Sequence, residues 1–129
     1  MKILDPVLAG LRVMVVEDQY AIAAEMHRLL EVLGVDVVGP FSGIEQAMVA
    51  ARQDLDLALL DVNLQGIGVF PLAAELTRLG IPFAFVTAYG SSLLPPVYRS
   101  IPRVEKPVSQ AALMTMLPTL ASARVARST

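Results

Sequence analysis

Asp61 ends a short apolar run, Leu57-Ala58-Leu59-Leu60. A carboxylate placed there reads as one that a buried strand delivers to its carboxyl edge, where open α/β sheets bind their ligands. Two other runs of the same kind end in complementary chemistry. Val13-Met14-Val15-Val16 leads into Glu17-Asp18, and Pro82-Phe83-Ala84-Phe85-Val86 leads into Thr87. A further run, Ile101 to Val104, precedes Glu105-Lys106-Pro107. If these ends share one crevice, three acids, a hydroxyl and an ammonium meet there. Such a group can hold a divalent metal and receive a phosphoryl group.

Three carboxylates within a few ångströms raise one another's pKa unless a cation sits among them. A hard ion such as Mg²⁺ takes oxygen ligands and keeps several waters. Asp18 and Asp61 can ligate it directly and Glu17 through water, with the backbone carbonyl of Asn63 as another oxygen. Each residue also has an ordinary reading. Glu17 and Asp18 suit the N-terminus of a following helix, Asp61 a turn, Thr87 a strand, and Lys106 the surface. The joint placement at matching strand ends favours the chemical reading over that set of coincidences. A strand-edge carboxylate is a usable nucleophile toward phosphorus once the phosphoryl oxygens are neutralised. Lys106 is one of two lysines, and Pro107 disfavours a helical conformation at it. His27 lies mid-helix and reads as a surface or partly buried residue, not a phosphoacceptor.

The elements that must position these residues follow from the hydrophobic pattern. Strand one is expected at about 11–16. A helix follows, with Ile22, Met26, Leu29, Leu30 and Leu33 on one face and Gly34 at its end. Val35 to Val38 reads as strand two, broken by Gly39-Pro40. Ser42 and Glu45 form a capping-box pattern ahead of a helix burying Ile44, Ala47, Met48 and Ala51. Strand three is about 57–61. The loop Gln65-Gly66-Ile67-Gly68 leads to a helix with Pro71 in its first turn, where proline is tolerated. That helix buries Val69, Leu72, Ala73 and Leu76, with Gly80 as its cap. Strand four is 82–86, and residues 88–100 leave room only for a short or irregular helix. Strand five is about 101–104. The last helix starts near Ser109, with Leu113, Met116, Leu117 and Leu120 inward, and Pro118 should bend or shorten it.

Five β-α repeats imply an α/β fold, a doubly wound five-stranded parallel sheet of flavodoxin-like order 2-1-3-4-5. That order sets strands one and three side by side, bringing Glu17, Asp18 and Asp61 together. The expected organisation is an N-terminal extension over 1–10, one domain over 11–121 and a C-terminal tail over 122–129.

Bulk composition narrows the function classes. At 129 residues, 55% apolar and 17% charged, the chain suits a single folded core. Its apolar stretches all fall short of a spanning helix, and its start lacks a secretory pattern. A cytoplasmic location is therefore expected, with no membrane partner. Without cysteine, disulfides and thiolate metal sites are excluded. A net charge of −2, without a basic cluster, argues against nucleic acid as partner.

Val15-Val16-Glu17-Asp18, Leu59-Leu60-Asp61, Val86-Thr87-Ala88 and Glu105-Lys106-Pro107 resemble, in order and spacing, the receiver domain of two-component response regulators. The resemblance covers about residues 11–121. It implies Asp61 as phosphoacceptor, with Glu17, Asp18, Asp61 and the Asn63 carbonyl around Mg²⁺. Thr87 becomes the switch hydroxyl and Lys106 the ionic partner of the phosphoryl group. The implied donor is a sensor histidine kinase. The chain would be a signalling phosphoacceptor, not an enzyme, acting on an unknown downstream protein or draining phosphate, as a monomer or weak homodimer. Only eight residues follow 121, so a stand-alone receiver is expected.

Three features depart from the common pattern. The loop after Asp61 reads Asn63-Leu64-Gln65-Gly66, without Met-Pro. Arg103 stands where the family usually has an aromatic. Phe85-Val86-Thr87-Ala88-Tyr89-Gly90 resembles the Phe-Ala-Thr-Gly-Tyr variant of single-domain receivers, making Tyr89 the candidate switch aromatic and Arg103 a residue that stays near solvent. Two other readings compete. A haloacid dehalogenase-type phosphohydrolase also uses Asp, Thr and Lys at strand ends, but resembles Asp-x-Asp where this chain has Asn63, and places its nucleophile on the first strand. A degenerate receiver binding partners without phosphorylation is opposed by the complete set of site residues.

Overall fold

The computed structural model describes residues 6–64, 67–88 and 94–128. Continuous apolar runs make the middle of the sheet. β1 (Arg12–Val16), β3 (Leu57–Asp61) and β6 (Phe83–Thr87) are buried almost throughout, as strands covered on both faces must be. β2 (Asp36–Phe41) and β7 (Arg103–Glu105) are more exposed and form the two edges. A short antiparallel hairpin, β4 (Asn63–Leu64) with β5 (Ile67–Gly68), lies apart from the sheet. The sheet order is β2-β1-β3-β6-β7 and its pairings are all parallel. Counted over its own five strands, that is the expected 2-1-3-4-5.

Among the described residues four α-helices cover the two faces: α1 (Tyr20–Val32), α2 (Ile44–Ala51), α3 (Phe70–Leu79) and α4 (Gln110–Ser128). One apolar cluster joins α2 and α3 to Met14, Leu60 and Phe85. The other joins α1 and α4 to Val13, Val15, Leu59 and Val86. Alternate residues of each strand thus feed opposite cores. Leu8, ahead of β1, belongs to the second cluster and is 2% exposed. Among the described residues no helix is long and apolar enough to cross a membrane.

Local departures from the sequence expectations have physical causes. β2 does not break at Gly39-Pro40 but continues to Phe41, because proline's missing donor is tolerated on an edge strand. The register with β1 shifts there instead, between Met14 and Val16. Gly39 has φ +103°, and a Cβ on it would lie 2.8 Å from Phe41 N and 2.9 Å from Val15 O, so the shift requires glycine. The capping box does not form, since α2 is capped by the extended Gly43 and makes no side-chain cap bond. Glu45 falls one position early for that motif, though still in the positive first turn. α3 matches its expectation, with Pro71 in its first turn and Gly80 at φ 74° ending it.

Beyond Thr87, Pro96–Tyr98 forms a single 3₁₀ turn. Ile101 N donates to Tyr98 O at 3.1 Å, which keeps Ile101 in that turn and delays β7 to Arg103. Tyr89 and Gly90, like Gln65 and Gly66 of the loop after Asp61, lie outside the described residues. Ser109 Oγ accepts the Ala112 N–H at 3.1 Å, the bond expected of a helix-starting serine. Pro118 does not end α4, which continues to Ser128. Leu113, Leu117 and Leu120 are buried on both sides of the proline, and that anchorage offsets the donor it removes.

Candidate functional site

Strand register assembles the site. Val16 pairs with Leu60, so Glu17 follows β1 at the level where Asp61 ends β3. Asp61 pairs in turn with Val86, and Thr87 with Glu105. Lys106 N donates to Thr87 O at 2.9 Å, carrying the ladder one residue past β7. Glu17, Asp61 and Thr87 are the buried polar residues of the described chain, all at the carboxyl edge. Parallel pairing alone brings together residues far apart in sequence.

The side chains meet around Lys106. Its Nζ lies 3.0 Å from Glu17 Oε1 and 3.5 Å from Asp61 Oδ1, with 14% of the lysine side chain exposed. Oxygens of Glu17, Asp18 and Asp61 lie within 4.8 Å of one another. Burial pushes the Glu17 carboxyl up from its ordinary value, against the lowering by Lys106 and the Gln19 N–H, and the neighbouring Asp61 adds to the rise. Gln19 N donates to Glu17 Oε2 at 3.1 Å. Glu17 Oε1 is buried and has no aligned hydrogen-bond donor, so its contact with Lys106 is an ion pair off the hydrogen-bonding directions. A buried acceptor in that condition, inside a trio of acids, fits a hard divalent cation.

A cleft of roughly 220 Å³ opens over this group, lined by Asp18, Gln19, Asp61, Thr87 and Lys106 among others. Comparison with solved structures places the assembly in a family. The signal receiver domain of a modulated diguanylate cyclase from Desulfovibrio desulfuricans G20 is 28% identical, with a TM-score of 0.78 over 92% of this chain and 98% of that one. The BeF₃-activated conformation of SdrG from Pseudomonas melonis Fr1 is 30% identical, with a TM-score of 0.77 over 88% of this chain and 98% of that one. This chain belongs to the receiver-domain family of response regulators. The response regulator PhyR from Brucella abortus is 25% identical with a TM-score of 0.80. The match covers 94% of the receiver but 51% of PhyR, so the chain spans about half of that protein. No family model matches the chain, and no curated protein does.

Glu17, Asp18, Asp61, Thr87 and Lys106 of the receiver come together as the sequence suggests. Asn63 opens β4, two residues past Asp61. Arg103 is exposed on β7, consistent with its charge. Sequence reasoning missed two features. One is Gln19, whose only signal is its place after the acid pair. The other is an aromatic group in which Tyr98 stacks on Phe70 at 5.3 Å and meets the edge of Phe85 at 5.8 Å. No local pattern links residues from α3, β6 and a 3₁₀ turn.

Proposed function

We propose that this receiver accepts a phosphoryl group on Asp61, from the phosphohistidine of a sensor histidine kinase, in a Mg²⁺-dependent reaction, and signals through protein contacts. The observation that carries this reading is Lys106 bridging Glu17 and Asp61 at the floor of an open cleft. An Asp61 oxygen attacks phosphorus as the donor P–N bond breaks. The product is an acyl phosphate, and the bond's electrons return to the imidazole, which takes up a proton. Glu17, Asp18, Asp61 and the Asn63 carbonyl would hold the metal, which neutralises phosphoryl oxygens when bound.

The protein's own groups do the rest. Lys106 holds the Asp61 carboxylate in the resting state, and its ammonium is close enough to pair with a phosphoryl oxygen added there. The buried Thr87 hydroxyl donates to a second phosphoryl oxygen, a charge-assisted bond available only after modification. The BeF₃-activated form of SdrG supports the same use of this fold, since beryllofluoride stands in for a phosphoryl group. Incubation with acetyl phosphate and Mg²⁺ should add one phosphate, seen by intact mass and Phos-tag gel, and Asp61→Asn should abolish it. Labelling of that variant at the unaltered rate would refute the assignment.

A further inference from the structure

Gln19 borders the same cleft as Asp61, Thr87 and Lys106, yet its side chain has no part in phosphoryl transfer. Its backbone N–H is committed to Glu17 Oε2. It occupies the N-cap of α1 in an extended conformation, φ −87° and ψ 112°, and its carboxamide makes no cap bond to the helix. Shorter side chains fill that capping role; glutamine instead stands exposed at the cleft. Ionised Asp18 and Asp61 only accept hydrogen bonds, and Lys106 only donates. Val62 and Ala88, also on the lining, have no polar side-chain atoms, and Thr87 is engaged by the phosphoryl group. A neutral carboxamide can accept from the attacking water and donate to a phosphoryl oxygen at once, which the charged groups of the lining cannot do.

We propose that Gln19 positions the water that hydrolyses the acyl phosphate on Asp61, and thereby sets the lifetime of the phosphorylated receiver. The inference rests on the phosphoacceptor reading. In the step, the water oxygen bonds to phosphorus while the bond from Asp61 oxygen to phosphorus breaks. The electron pair returns to Asp61 as carboxylate, inorganic phosphate leaves, and the water's proton passes to solvent. The Gln19 carbonyl oxygen accepts a hydrogen bond from the water, aiming its lone pair at phosphorus.

The test follows the decay of phosphorylated full-length protein, prepared with acetyl phosphate and Mg²⁺ and then desalted, by Phos-tag gel. Gln19→Ala should decay roughly 3- to 10-fold more slowly, the effect of one neutral hydrogen bond on a rate. Tyr20→Ala, next in sequence and outside that cleft, should decay at the parent rate. Gln19→Asn separates positioning from helix capping, because asparagine caps better than glutamine but reaches less far. Positioning puts Asn with Ala, both slow; capping puts Asn at or above the parent rate, and that order would overturn the proposal. After denaturation all variants should decay alike. A parent protein that never takes phosphate overturns both readings. Labelling that needs Asp61, with equal decay of parent, Ala and Asn proteins, removes only the role of Gln19.

Discussion

Lys106 faces two acids at once, and Asp18 completes a trio of carboxylates with oxygens within 4.8 Å. Like charges this close repel, and Lys106 offsets only part of that repulsion. Asp18→Lys replaces one of them with an ammonium and should stabilise the metal-free protein by about 1 kcal/mol. At this chain length that is a rise of roughly 3–5 °C in melting temperature. Mg²⁺ should raise the melting point of the parent and leave that of the variant unmoved. Differential scanning fluorimetry with and without EDTA measures both effects. A lower melting point for a correctly folded variant in EDTA would mean that repulsion among the three acids is not the dominant local force.

Between elements, charge also ties helix to helix on the surface. Glu75 on α3 accepts from Arg78 Nε at 2.7 Å and from Arg52 Nε, at the end of α2, at 3.2 Å. The bond from Arg78, with that from Arg52 in support, lowers the Glu75 carboxyl from 4.5 to about 2. The folded state therefore favours the ionised form. This contribution is complete above pH 4.5 and is lost as pH falls from there through about 2. Glu75→Gln should be less stable at neutral pH, with a shallower fall in melting temperature over that acid range. High salt should shrink the difference, because both arginines are exposed. Equal pH profiles for the two proteins would show that the α2–α3 charge link contributes nothing measurable.

At the scale of the molecule, β6 connects the cleft to the aromatic group in the core between the sheet and α3. Thr87 ends that strand, and Phe85, two residues back, packs against Tyr98 and Phe70. Movement of Thr87 toward a phosphoryl oxygen would draw on β6 and disturb this aromatic contact, since packed rings do not deform continuously. Arg103 pairs with Phe85 in the ladder and is exposed. Beryllofluoride with Mg²⁺ should therefore shift the amide signals of Thr87, Phe85, Tyr98 and Arg103 in a heteronuclear NMR spectrum. Shifts confined to Glu17, Asp18, Asp61 and Lys106 would show that the charge change stops at the cleft.

The fold was legible in the sequence because its signals are strong and local. Apolar runs at Val13–Val16, Leu57–Leu60 and Phe83–Val86 alternate with helical stripes, and that alternation admits few topologies. The site residues were legible for the same reason, each standing at the end of such a run. The tertiary structure decided what depends on distant neighbours. β2 continues through Gly39-Pro40 because β1 pairs with it on only one side. α4 continues through Pro118 because leucines on both sides of it are buried in a core that the proline alone does not reveal. The pairing of Lys106 with Glu17 as well as Asp61, the place of Gln19 beside the cleft, and the stacking of Tyr98 on Phe70 all join residues that only the parallel register and the crossover helices bring into contact. Sequence spacing encodes which residues face an edge, whereas the distances between them are set when the sheet closes around its two cores.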